Sequence, residues 1–233
     1  MQFKSTDSWR ERLTQRLQPD EVELPDAEAT EQLAELSRQW RRQIPSHVDG
    51  LRPHLDPDRD HVRGSAEATV TLLEYGDFMA PSCKEAAPVL RELGSRFGDE
   101  LRFAFRHFPI ADAHPLTLSV AVAAEAAGAQ GEFWEMHDRI LRSEFGTEPS
   151  ALRRHARELE LDLDRYDADI AGGTHVAHVF EDFNSGTLSG VNGTPTFFIN
   201  GARLDWDFQP ETLRDSVENA TMVTAKAPYP APV

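Results

Sequence analysis

The sequence predicts an α/β fold: a mixed sheet with helices on both faces and a helical subdomain inserted between its halves. Three observations predict it. Two apolar, β-rich runs, "ATVTLLEYGDF" and "LRFAFRHFPI", flank a helix-forming stretch. Strand, helix and strand within roughly 40 residues make a right-handed βαβ unit with parallel strands. Near the end, "GTPTFFING" and "ARLDWDF" place Asn-Gly after a β-rich run, a strong hairpin signal, and a helical pattern follows in "QPETLRDSVENA". Between these halves, residues 112–188 read as helices.

The elements follow in order. Residues 1–64 form a polar, helical N-terminal arm and linker. In "DAEATEQLAELSRQWRRQI", Leu33, Leu36, Trp40 and Ile44 recur at steps of 3, 4 and 4, one stripe of an amphipathic helix. Asp26 offers the N-cap and Pro45 ends the pattern. The next stretch, "PSHVDGLRPHLDPDRDHVRGS", is rich in Pro, Gly and Asp and reads as a linker. The stripe must cover either the main body or a second copy of the chain, which makes a homodimer through the arm one expectation. The main domain, 65–222, opens with a buried strand over about residues 69–75. A helix then runs from Pro81 to about Phe97, with a kink expected at Pro88. The second strand follows the turn "GDE". In the insertion, "EFWEMHDRIL" puts Phe133, Trp134, His137, Ile140 and Leu141 on one face. The tail, 223–233, contains the proline-rich "APYPAPV" and reads as flexible.

Composition narrows the function. A formal charge of −16 over 233 residues argues against nucleic-acid binding, which needs a basic face, and against anionic membranes. No apolar run approaches the roughly 18–20 residues of a membrane span. The first residues, "MQFKSTDSWRERL", lack the apolar middle of a signal peptide, so a cytoplasmic location is expected. Cys83 is the only cysteine, which excludes an intrachain disulfide and a multi-cysteine metal site. No metal site is expected. His175 and His178 are spaced i, i+3, but no third ligand stands near them in sequence.

The chemistry concentrates in "EYGDFMAPSCKEAAPVLREL". Pro81 suits the first helical position, where its missing N–H would be unpaired anyway. That makes Ala80 the N-cap, although alanine there costs about 1 kcal/mol against Ser, Thr or Asp. A helix mouth favours anions, so a thiol at position 80 would be activated, while position 83 lies one turn in. Cysteines at both would make C-P-x-C; only the second is present.

From His61 to Ala220 the chain resembles the DsbA-like thioredoxin-fold thiol–disulfide oxidoreductases. The likeness rests on "EYGDF" running into "MAPSC", where members typically carry "ECPYC", then on "FRHFPI", "AAEAAGAQGEFWEMHD" and "SGVNGTPTFFING" in the same order. It implies a thioredoxin-like fold and a thiol–disulfide oxidoreductase with a degenerate A-P-S-C site, whose chemistry centres on Cys83 as monothiol or impaired disulfide exchange. It aligns the attacking cysteine with Ala80 and the resolving cysteine with Cys83. It also implies a cis Thr194–Pro195 bond beside the helix mouth, presenting backbone to an extended peptide, with Pro81 and Ser82 opposite. Protein or peptide thiols, glutathione among them, are the implied partners, and no dissociable cofactor is expected. Alanine cannot form the mixed disulfide through which exchange proceeds, so the dithiol cycle is not expected to run.

Three readings of Cys83 stand open: a buried relic packing as a small hydrophobe, a working monothiol, or half of a dithiol site substituted at position 80. The competing class is a redox-silent module that keeps the cis-proline edge for binding or uses the arm for self-association. Glu74, at the end of the first strand, is either a proton relay to the sulfur, as the resemblance implies, or a partly solvated carboxylate. Asp77 is expected to satisfy backbone N–H groups in its turn. His107 and His137 are expected to be packed, hydrogen-bonded core residues before catalytic ones.

Overall fold

The computed structural model describes residues 26–43, 50–142, 147–204 and 209–226. Ile44 and the "APYPAPV" tail lie outside them.

The sheet has five strands: β1 (His61–Arg63), β2 (Val70–Gly76), β3 (Leu101–His107), β4 (Thr196–Ile199) and β5 (Ala202–Arg203), in the order β1-β3-β2-β4-β5. β2 and β3 pair in parallel, Val70 to Leu101 through Gly76 to His107, as the βαβ reading requires. The other three pairings are antiparallel. Asn200 and Gly201 turn β4 into β5 with φ of 50° and 81°. Two successive positive φ angles match the right-handed twist of a two-residue hairpin, and Asn-Gly tolerates them at least cost.

The helices are α1 (Asp26–Gln43), α2 (Pro81–Phe97), α3 (Thr117–Gly128), α4 (Phe133–Arg142), α5 (Pro149–Glu158), α6 (Leu163–Ala171), α7 (Val176–Leu188) and α8 (Pro210–Lys226). α2 continues through Pro88, which is exposed. Among the described residues no helix is long and apolar enough to cross a membrane.

Alternation along β2 feeds two cores. Val70 and Leu72 face α2 and α8, where Ala86, Val89, Leu90, Leu93, Leu213 and Val217 close over them. Leu73 and Tyr75 face the opposite side, against Phe108, Phe183 and α1. Burial on both faces explains why β2 reads as a continuous apolar run. A third cluster joins Phe78, Ala80, Cys83 and Phe105 to the helices of the insertion.

Two readings are refined here. The stripe of α1 packs on this chain's own body: Leu33 and Trp40 are buried, and the Trp40 ring meets Phe108 edge-on at 5.1 Å. Its indole N–H donates to the Val191 carbonyl at 2.8 Å. Within one chain, that apolar face is covered by the chain's own body. The stretch read as a linker is also part of the domain. It supplies edge strand β1, and Asp60 forms a two-pronged pair with the fully buried Arg106 at 2.9 and 2.7 Å. The guanidinium also donates to the Tyr75 hydroxyl and to the carbonyls of Pro53 and His54. A stretch without periodicity is held in place by polar anchors, which hydrophobic patterning does not report.

Candidate functional site

The C-terminal end of β2 delivers the chain into the mouth of α2. Ala80 is the N-cap, with extended backbone (φ −71°, ψ 126°) and no side-chain cap, and Pro81 takes the first helical position. The Ala80 carbonyl accepts the first helical N–H bonds, from Cys83 at 3.2 Å and Lys84 at 3.3 Å. Asp77 braces the loop before it. Its carboxylate accepts from the N–H groups of Met79 (2.8 Å) and Ile110 (3.0 Å), from the Thr117 hydroxyl, and pairs with His114. This is the turn-satisfying role expected of Asp77, extended to a second loop.

Across the mouth, the Thr194–Pro195 peptide bond is cis. The Ser82 hydroxyl donates to the Thr194 carbonyl at 2.7 Å, bolting the helix mouth to the proline loop. Beside that bolt lies a cleft of about 300 Å³ whose walls include Ser82, Glu85, Thr194, Pro195, Arg203 and Leu213. Pro81 is exposed, and Ser82, Thr194 and Pro195 are half-buried. Three of the four residues expected to face a substrate, Ser82, Thr194 and Pro195, thus line one opening, whereas Pro81 is not among its walls.

The two positions that decide redox chemistry are not open. Ala80 is 4% exposed and Cys83 1% exposed. The Cys83 sulfur lies 3.5 Å from the Asp77 backbone nitrogen. Burial pushes its thiol well above the ordinary range, and the nearby Glu74 and Asp77 carboxyls act in the same direction. A helix mouth alone would lower it; here desolvation wins.

Glu74 sits beneath Cys83. It is 1% exposed, which overturns the partly solvated alternative. Its strand neighbours on either side are Phe105 and Phe197, so its surroundings are apolar. Neither carboxyl oxygen makes a hydrogen bond of standard geometry. Burial raises its pKa to about 8, with the Cys83 thiol and Arg63 easing it only in part. Burial thus favours the protonated form of this acid at neutral pH.

His107 is buried and bonds Glu125 at 2.7 Å, while its backbone N–H donates to Asp182. His137 is buried among Phe78, Phe105, Phe133 and Trp134, and burial holds its pKa down to about 4. Both are core residues, as expected. His175 and His178 do not share a site. His175 stands at the N-cap position of α7 without a side-chain cap bond and approaches Asp169, whereas His178 turns toward Glu125 and Asp182. A different group forms instead: Glu125 of α3 and His61 of β1 converge on His178. No local spacing could have announced that group.

Comparison with known proteins agrees with the geometry. The thioredoxin family model matches residues 56–219. A thioredoxin-like oxidoreductase from Silicibacter pomeroyi superposes with a TM-score of 0.63 at 27% identity, covering 74% of this chain and 95% of that one. BdbD from Bacillus subtilis gives 0.66 at 18% identity, covering 76% of this chain and all of the other. In sequence, 181 residues are 45% identical to part of the Na(+)/H(+) antiporter NhaA 1 of Salinispora arenicola, covering 78% of this chain. A similar protein from Mycolicibacterium gilvum is 41% identical over 161 residues, or 67% of this chain. The chain spans 28% and 26% of the length of these two relatives. With the βαβ unit and the helix mouth matched over residues 56–219, the chain belongs to the thioredoxin family, and alanine occupies the N-cap of the helix that follows its first central strand.

Proposed function

We propose that this chain is a redox-silent member of its family that holds an extended polypeptide segment in the cleft beside Pro195. The observation that carries the proposal is the inaccessibility of sulfur. Cys83 is 1% exposed under a 4% exposed Ala80, while the cleft and its Ser82–Thr194 bolt are intact. Without a thiolate at the mouth no mixed disulfide forms, but strand-like docking needs only backbone and shape. Glu85 and Arg203 supply charges of both signs, and Phe197 and Leu213 an apolar wall. The partial likeness to Na(+)/H(+) antiporters makes segments of such a transporter the first polypeptides to test. A cytoplasmic location belongs to the same proposal, since a lone free thiol suits a reducing compartment.

The test pairs reactivity with binding. Cys83 should stay unmodified by a thiol reagent in the native protein and react on unfolding. Overlapping peptides from a related antiporter should include segments that perturb amide resonances at 193–197. Gly193→Trp, at a position with open space around it, should abolish that binding. Native reaction of Cys83 together with turnover of a glutathione mixed disulfide would replace this reading with that of a monothiol enzyme.

A further inference from the structure

Away from the helix mouth, a single carboxylate oxygen gathers three imidazoles. Glu125 Oε1 lies 2.6 Å from His61 Nε2, 2.7 Å from His107 Nε2 and 3.8 Å from His178 Nε2. The four residues come from β1, β3, α3 and α7, so the fold and not local sequence brings them together. Ligand atoms of His61, Glu125 and His178 all lie within 4.8 Å of one another, within reach of one ion at ~2.0–2.2 Å from each donor once the 2.6 Å His61–Glu125 hydrogen bond opens to admit it.

We propose that the chain binds one divalent transition-metal ion, zinc foremost, through His61, Glu125 and His178, with His107 as the positioning residue that holds the carboxylate. Two imidazoles and a carboxylate suit zinc, and mixed N and O ligation disfavours the soft monovalent alternatives. His107 has the placement of an outer partner. It is 1% exposed, it donates to the ligating carboxylate, and its backbone is anchored by Asp182.

Access is built in on one side. The His61 and His178 side chains are 19% and 24% exposed, whereas Glu125 is only 7% exposed, which leaves a path for the ion and room for a water ligand. The His61 ring is also fixed in orientation, stacked on Phe133 with planes 4° apart. Glycine at position 128 keeps that approach free, since a Cβ there would lie 3.3 Å from the His61 ring. The second carboxylate near His178, Asp182, is already engaged by Arg59 at 2.6 Å, so Glu125 is the anionic ligand. A net charge of −16 raises the local cation concentration. The bound ion would tie edge strand β1 to the helical insertion.

The test uses the whole chain stripped with a chelator and titrated with ZnCl2 against a chromogenic competitor. One ion per chain should bind saturably and raise Tm. On the unmodified protein, zinc should shift the ring nitrogen resonances of His61 and His178, a readout that needs no variant. His178→Ala should weaken binding at least tenfold and remove the Tm rise, with folding checked by circular dichroism. His54→Ala, at an exposed histidine elsewhere, should change neither. Absence of saturable binding, unshifted His61 and His178 resonances, or equal affinity in a folded His178→Ala protein would overturn the site.

Discussion

Ser82 donates its hydroxyl proton to the carbonyl of Thr194 across 2.7 Å, and with that bond the helix mouth and the cis-proline loop stay assembled although the attacking sulfur is missing. The vacancy at position 80 is therefore chemical and not architectural. Ala80→Cys should restore C-P-S-C one turn before a resident thiol, at a helix N-terminus that stabilises a thiolate. Mild oxidation should remove both free thiols and dithiothreitol should return them, as counted by mass after alkylation. A folded Ala80→Cys protein that keeps two free thiols under oxidant would mean that positions 80 and 83 are not the pair proposed.

Glu74 gives the second prediction. Its pKa rises from the ordinary carboxyl range of about 4.3 in the unfolded chain to about 8 in the folded one. The folded state therefore keeps a proton that the unfolded state has released, and stability falls as pH rises between those two values, by at most ~1.4 kcal/mol per unit. Below pH 4 the penalty is absent, and above pH 8 it is complete. Glu74→Gln cannot ionise, so its stability relative to the native sequence should improve from pH 5 to pH 8.5 by a few kcal/mol. Urea unfolding at both pH values measures this; parallel pH profiles for the two proteins would show that Glu74 is not the group responsible.

How much of this was legible in the sequence follows from the kind of signal each feature leaves. β2, α2 and β3 announce themselves because residues 70–107 carry apolar alternation and helical periodicity, which the sheet and its two cores use directly. The mouth was legible because Pro81 and Ala80 occupy positions with strong local rules. β1 was not, because three half-buried residues, His61–Arg63, leave too short a pattern to distinguish from loop. The Glu125 group was invisible for a different reason. Its members are separated by 64, 18 and 53 residues in sequence, and only the closed sheet and the packed insertion bring them together. The depth of Glu74 was equally hidden, since a carboxyl flanked by Phe105 and Phe197 depends on strand register.

Asp60 and Arg106 provide a third prediction. Both side chains are fully buried, and Arg106 uses Asp60 as its only carboxylate partner among the described residues. Asp60→Ala leaves a buried guanidinium uncompensated and should cost about 3–5 kcal/mol. Replacing both, as Asp60→Leu with Arg106→Met, should cost clearly less than the sum of the single changes, because the unpaired charge disappears with its partner. A double-mutant cycle by chemical denaturation reads the coupling. Additive effects would mean that the pair does not hold the 50–60 segment to the sheet.

The last prediction separates an arm that completes the domain from one that joins two chains. Trp40 is 5% exposed, meets Phe108 and Phe183 at 5.1 and 6.4 Å, and donates to Val191, so its partners all belong to the same body. Truncating a buried tryptophan costs about 3–5 kcal/mol. Trp40→Ala should therefore lower unfolding free energy by that amount at any protein concentration, with no change in mass by light scattering. Trp40→Phe keeps ring contact but strands the Val191 carbonyl, and about 1–3 kcal/mol should be lost. If the loss instead shrank on dilution and tracked a dimer-to-monomer transition, α1 would be acting between chains, and the burial of its stripe against Tyr75, Phe108 and Phe198 would have to be satisfied by a partner's copy of that surface.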